Sequence, residues 1–273
     1  METNSQLKFG FTLVELSIVL VIIGLIIGGV LVGQDLIRAA EIRATVSQME
    51  KYNAAVNTFR VKYGGLPGDL IYSQASAYGF FAFSGVNAGS AGFGDGNGLL
   101  SGTFPSVFEE GETFVFWRHL SDAQLITGSF ATAGCPIDPV SGLVNFTTMS
   151  SLDCLFPSAK LGHGNYIIVF AGDGIVYPST GVNYFQILGL SSNSGVLNNN
   201  SIKAMTPIET RNIDAKMDDG NPLGGRVRAM VDYYVNSTPG DNCTVAIAGG
   251  AAAYDVGTVN GNSPTCELRL QFQ

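Results

Sequence analysis

The chain has 273 residues, enough for one sizeable globular domain or two small ones. Charged residues make up only 13% of it and the formal net charge is −8, a balance that argues against a general nucleic-acid binder, which would be basic. Four cysteines lack CxxC spacing, and His119 and His163 stand apart, so a structural zinc site is not expected.

The N-terminal stretch carries the most information. Lys8-Phe9-Gly10 is followed by Phe11-Thr12-Leu13-Val14-Glu15-Leu16, then by a run that is apolar except for Ser17. From Phe11 to Gly33 there are 23 residues. At 1.5 Å per residue they make about 34 Å of helix, enough for one bilayer crossing. Glu15 is the lone charge between Lys8 and Asp35. A carboxylate at membrane depth costs about 2.5–3.5 kcal/mol on insertion scales, so it needs a partner or a job. A cut between Gly10 and Phe11 would leave the new amine about one helical turn from Glu15. A plain signal anchor would share this hydropathy. A cleavable secretory signal would place a small-residue cleavage site after a shorter apolar core, whereas here Gly10 precedes the run.

These residues resemble the processing site of the type IV pilin and type II secretion pseudopilin family. Its members carry a short leader ending in Gly, then Phe, then Thr-Leu-Val/Ile-Glu, then an apolar helix. The leader here departs from that pattern in having one basic residue, Lys8, and an acid, Glu2. The resemblance implies that a prepilin peptidase removes residues 1–10 and that Phe11 becomes N-methylated. It implies that Glu15 neutralises the amine of a neighbouring pilin or pseudopilin subunit as that subunit docks into a filament. A buried charge stripped of its partner costs roughly 3–5 kcal/mol, so the natural role of such a pair is registry. It also implies an α+β, pilin-like fold. A long N-terminal helix would pack on an antiparallel sheet, with a disulfide-bounded C-terminal loop. The expected setting is the bacterial inner membrane, crossed once, with the rest periplasmic or on a filament. Length beyond that of a typical major subunit suggests a minor or specialised one. The alternative within the same resemblance is a pilus-borne binding module, an adhesin or DNA-uptake receptor, although the acidic balance disfavours nucleic acid.

Gly24, Gly28, Gly29 and Gly33 form small-xxx-small pairs, read as close helix packing in a filament core, as local helix melting, or as ordinary membrane-helix glycines. No proline occurs between Phe11 and Pro67. Ile42, Val46, Met49, Tyr52, Val56, Phe59 and Tyr63 recur at steps of three and four, so the same helix continues as an amphipathic half over residues 34–63. Gly64-Gly65 and Pro67 end it. The predicted helix runs from about Thr12 to Tyr63, and residues 64–273 form the globular domain.

From Gly79 to Gly102 there are eight glycines, which predicts a long surface loop over residues 64–108, with short helical turns around Asp69–Tyr78. A second helical region is predicted over Glu109–Ile126, with Ser121 and Gln124 as a restarting capping box and Gly128 as its end. Tyr166–Ala171, Ile175–Tyr177 and Tyr184–Leu190 read as strands, the first two joined by a Gly172-Asp173-Gly174 hairpin. Thr206-Pro207-Ile208-Glu209 is a helix start, closed by Gly220 and Pro222. Arg226–Val235, Cys243–Ala248 and Cys266–Phe272 read as three more strands.

Four cysteines allow three pairings. Proximity in sequence favours Cys135–Cys154 and Cys243–Cys266, and an anchored exported chain meets an oxidising compartment. Gly94-Asp95-Gly96-Asn97-Gly98 and Asp218-Asp219-Gly220-Asn221 are either fragments of calcium loops, with Asp95, Asn97, Asp218 and Asp219 as ligands, or plain Asx-Gly turns. No EF-hand is completed, because Ser106 stands where the closing acid would be. The chain has no GxSxG, HExxH or phosphate loop, so no enzymatic activity and no required cofactor are expected.

Overall fold

The computed structural model describes residues 12–80, 94–100, 112–130, 152–171, 181–189, 205–232, 235–236, 243–247, 252–257 and 259–272. The chain forms two compact units, Met1–Glu41 and Ile42–Gln273. Helix α1, Leu13–Tyr63, contributes to both. In the first unit its large apolar side chains, from Leu13 to Ile37, are exposed. It is long and apolar enough to cross a membrane.

The second unit begins where the periodicity changes. Ile42, Met49, Tyr52, Val56 and Phe59 are buried on one stripe of α1, together with Thr45, Gln48 and Ala55. Gly64, at φ 77°, ends the helix and donates its N–H to the Arg60 carbonyl at 2.9 Å. Two further helices follow, α2 (Tyr72–Ala77) and α3 (Glu112–Asp122).

A five-stranded antiparallel sheet supplies the other layer. It contains β1 (Asn165–Ala171), β2 (Asn183–Gly189), β3 (Val227–Asp232), β4 (Val235–Asn236) and β7 (Glu267–Gln271), in the order β1-β2-β7-β3-β4. Strands β5 (Thr244–Ala246) and β6 (Ala252–Tyr254) make a separate hairpin. Register puts Val169 opposite Phe185, Phe185 opposite Leu270, and Leu270 opposite Val227, so one face is apolar across four strands. The core forms where α1, α3 and β2 meet. Tyr52 lies edge-on to Trp117 at 5.0 Å, and Phe185 is 6.1 Å from Phe116 and 4.3 Å from Phe272. The opposite sheet face is buried as well, and there Gln186 donates to Glu267 at 2.6 Å. The class is therefore α+β.

Helix α4 (Pro207–Met217) has the predicted start. The Thr206 side chain accepts from Glu209 N–H, and the Glu209 carboxylate accepts from Thr206 N–H. Three expectations are corrected. Residues 64–108 are not simply a surface loop, because Leu66, Leu70, Ala75, Phe80 and Leu100 are buried in the core. Apolar residues scattered among glycines find the core without a regular period. The second helix ends at Asp122 rather than continuing, because Gln124 sits at φ 57° and Ser121 Oγ donates to the Gly128 carbonyl at 2.6 Å instead of capping a new turn. The run predicted as one strand at 226–235 is interrupted by a register shift between Met230 and Asp232. Strand β6 had no signal in its short Ala-rich run. The Gly172–Gly174 turn and the 175–177 strand lie outside the described residues.

Candidate functional site

At the start of α1 the Glu15 carboxylate already has partners. Its Oε2 accepts from Thr12 N–H at 2.8 Å and from Thr12 Oγ1 at 2.7 Å, while Thr12 Oγ1 accepts from Glu15 N–H at 3.3 Å. This is a reciprocal capping box, legible in Thr12-x-x-Glu15 and overlooked in the reading of Glu15 as a charge alone. Helix N-termini leave donors unsatisfied, and lipid supplies no substitute. Gly10 and Phe11 lie outside the described residues. Farther along, a Cβ at Gly24, Gly28, Gly29 or Gly33 would meet nothing within 4 Å, so these glycines present bare backbone on an exposed helix surface.

Cys243 and Cys266 are joined, with Cα atoms 5.2 Å apart, and both are fully buried. The bond ties the start of the β5–β6 hairpin to the entry of β7. Cys154 sits in a 3-10 turn, Leu152–Cys154, and is disulfide-bonded. Cys135 lies outside the described residues.

The predicted acids fall into two carboxylate groups, each completed by residues the sequence did not single out. Asp95 converges with Asp69 and Glu112. Asp218 and Asp219 converge with Asp214. In each group one oxygen per residue lies within 4.8 Å of the others. Asp69, Asp95 and Glu112 come from three separate segments, so no local spacing announces them. Asp214 is four residues before Asp218 on the last turn of α4, a spacing that could have been noticed.

Both groups are also wired into their loops. Asp69 accepts from Gly96 N–H at 2.9 Å and Gly98 N–H at 2.8 Å. Asp95 accepts from both the backbone and side-chain amides of Asn97, and Asn97 accepts from Leu99 N–H. Asn97 therefore serves an Asx turn, and its oxygen is directed at its own loop. Asn183 finishes the job by accepting from Leu100 N–H and donating to the Gly98 carbonyl, each at 2.8 Å. In the second group, Asp214 accepts from Gly220 N–H at 3.2 Å and from the Tyr254 hydroxyl at 2.7 Å. Asp218 accepts from Arg226 N–H and Val227 N–H, and Asp219 from Asn221 N–H.

Crowding and burial leave a mark on acidity. Burial, and then the nearby Asp95 charge, push Asp69 up to about 6 against the pull of the two glycine amides. Burial, and then Asp219 and Asp218, push Asp214 up to about 6 as well. Tyr254 is raised by its own burial and by Asp214. Three carboxylates are a partial donor set for calcium, which takes six to eight oxygens, so backbone carbonyls or water would have to complete either group. Glu112, Asp69 and Asp214 fit such a site by charge and convergence, but their existing hydrogen bonds already give them structural work.

No family model matches the chain, and comparisons with curated proteins and with solved structures also find no match.

Proposed function

We propose that this chain is a prepilin-like structural subunit, minor or specialised, of a type IV pilus or type II secretion pseudopilus. It enters the inner membrane through the first part of α1, is cut after Gly10, is methylated at Phe11, and assembles through that helix. The observation that carries the reading is one acid, Glu15, at the head of an apolar helix that continues without a break into the packed stripe of an α+β unit. The Gly10-Phe11-Thr12-Leu13-Val14-Glu15 resemblance supports it, and the disulfide fits an oxidising compartment.

In this reading the helix changes environment from lipid to a bundle of identical helices. Its apolar surface needs no polar counterpart in either. Bare backbone at Gly24, Gly28, Gly29 and Gly33 allows close helix contact there. The one charge then selects the axial position at which a neighbour's amine meets Glu15, because any other stagger leaves ions unpaired.

Shearing of cells that express the chain, followed by intact-mass measurement of the sheared fraction, tests the reading. The expected chain begins at Phe11 and carries one added methyl group. A chain that stays wholly in the membrane fraction and retains residues 1–10, in cells with an active prepilin peptidase, overturns it.

A further inference from the structure

A cleft of about 500 Å³ opens within the globular unit, between α1 and the turn that leads into β1. Lys51 and Lys160, both exposed, line it together with Tyr52, Phe130 and Phe156. Among the described residues neither lysine enters an ion pair, in a chain whose net charge is −8. The cleft is built rather than incidental. Buried Gln48 donates from Nε2 to the Ser158 carbonyl at 2.9 Å and to Tyr52 Oη at 3.1 Å, and its Oε1 accepts from Lys160 N–H at 2.8 Å. That amide fixes the backbone under Lys160 relative to the helix turn that carries Lys51. Asp153 also lines the cleft, so its net charge is modest and suits a side-chain carboxylate better than a compact polyanion.

The complementary surface lies elsewhere on the same unit. The loop after α4 presents Asp218 and Asp219, with Asp219 exposed, and Asp218 is tied to the start of β3. The cleft adjoins β1, an edge strand, whereas the acidic loop enters β3, with β2 and β7 between them. At about 4.8 Å per strand, some 14 Å of sheet separates them.

We infer that the Lys51–Lys160 cleft receives the Asp218–Asp219 loop of a second copy of this chain. The inference rests on the filament reading above and adds which surfaces of the globular unit meet. Two different, complementary patches make a heterologous contact, and a heterologous contact that does not close on itself propagates as a helix. Opposite charges on the two patches also steer approach and reject a copy docked the wrong way round.

The test uses the full-length chain in cells that assemble it. A variant carrying both Lys160→Cys and Asp219→Cys is treated with a short bismaleimide in the sheared fraction. A ladder of multimers is expected from the double variant and none from either single variant. In parallel, Lys51→Glu with Lys160→Glu should lower the share of chain in filaments roughly tenfold, and adding Asp219→Lys should restore most of it, as expected where repulsion replaces attraction at a contact. All of these positions are exposed, and membrane-held chain at wild-type level checks folding. Filaments that contain the double-cysteine variant without a ladder, or charge-reversed chains that assemble normally, overturn the inference and leave the filament reading standing. A wild-type chain that never enters a filament overturns both.

Discussion

Glu15 has two roles that a single substitution can separate. As a capping residue it needs only an acceptor for Thr12 N–H and Oγ1. As a partner for an incoming amine it needs a negative charge. Glu15→Gln keeps the first and removes the second, whereas Glu15→Ala removes both. Neither change should hinder membrane insertion, since each makes the helix less polar or leaves it uncharged. We expect both variants to lose incorporation into filaments, and to a similar degree. Fractionation of this chain between membrane and sheared filament measures it. If Gln assembles like wild type and Ala fails, Glu15 is a cap and the charge-pair role is wrong. Asp69 and Asp214 make a second prediction. Their folded-state pKa is raised from 3.8 to about 6, so the folded chain holds these protons more tightly than the unfolded one. The stability they contribute is full below about pH 4 and is lost as pH rises through about 6. Asp69→Asn should flatten that part of the profile. Calcium held by these acids would reverse the dependence, because its ligands must be ionised. If the acids hold calcium, the ion raises the melting temperature of chelator-stripped protein at pH 7.5, and that rise vanishes by about pH 5. No rise at pH 7.5 would leave the acids as turn residues.

Among the elements, the turn after α1 is the one most tightly constrained by its neighbours. Gly68 sits at φ 88°, and a Cβ there would lie 2.3 Å from the Glu112 carbonyl oxygen and 3.1 Å from Phe116 N. Its own N–H donates to His119 Nδ1 at 3.0 Å, which places the His119 proton on Nε2. The start and end of α3 are thus both held against this turn. Gly68→Ala should cost about 2–4 kcal/mol, combining left-handed strain with a backbone clash that no side-chain rotation relieves. Gly162, at φ 75° with open space where an added Cβ would lie, is the control. Gly162→Ala should cost only about 1 kcal/mol. Thermal melting of the full chain in detergent compares them, and equal losses would mean that the turn yields. Helices such as α1 and α4 were legible because their signals are local: an unbroken three-four period in one, and a capping box with proline at its first position in the other. The buried segments between residues 64 and 100 were not, because their contacts depend on partners far away in sequence.

At the scale of the whole molecule, the sequence could suggest most of the strands but not their order. Strand β7, last in the chain, pairs between β2 and β3. Nothing local encodes that choice, which is set by matching apolar faces across Phe185, Leu270 and Val227. The same limit applies to the carboxylate groups. Asp95 and Asp218–Asp219 stood out through their glycine-rich surroundings, whereas Asp69 and Glu112 were invisible until the fold gathered them. The Gln48 clamp was hidden for a similar reason, as a polar residue inside a mostly apolar stripe. It has a mechanical consequence. Methyl groups on a helix can exchange neighbours as the helix slides or turns, so a purely greasy seam resists torque weakly. A buried amide that reaches one fixed carbonyl and one fixed N–H outside its own helix has a single home, and Tyr52, one turn along the same helix, orients it. It acts as a key in a shaft: sliding or turning of this stretch of α1 against the segment that leads into β1 must first break the bonds to Ser158 and Lys160.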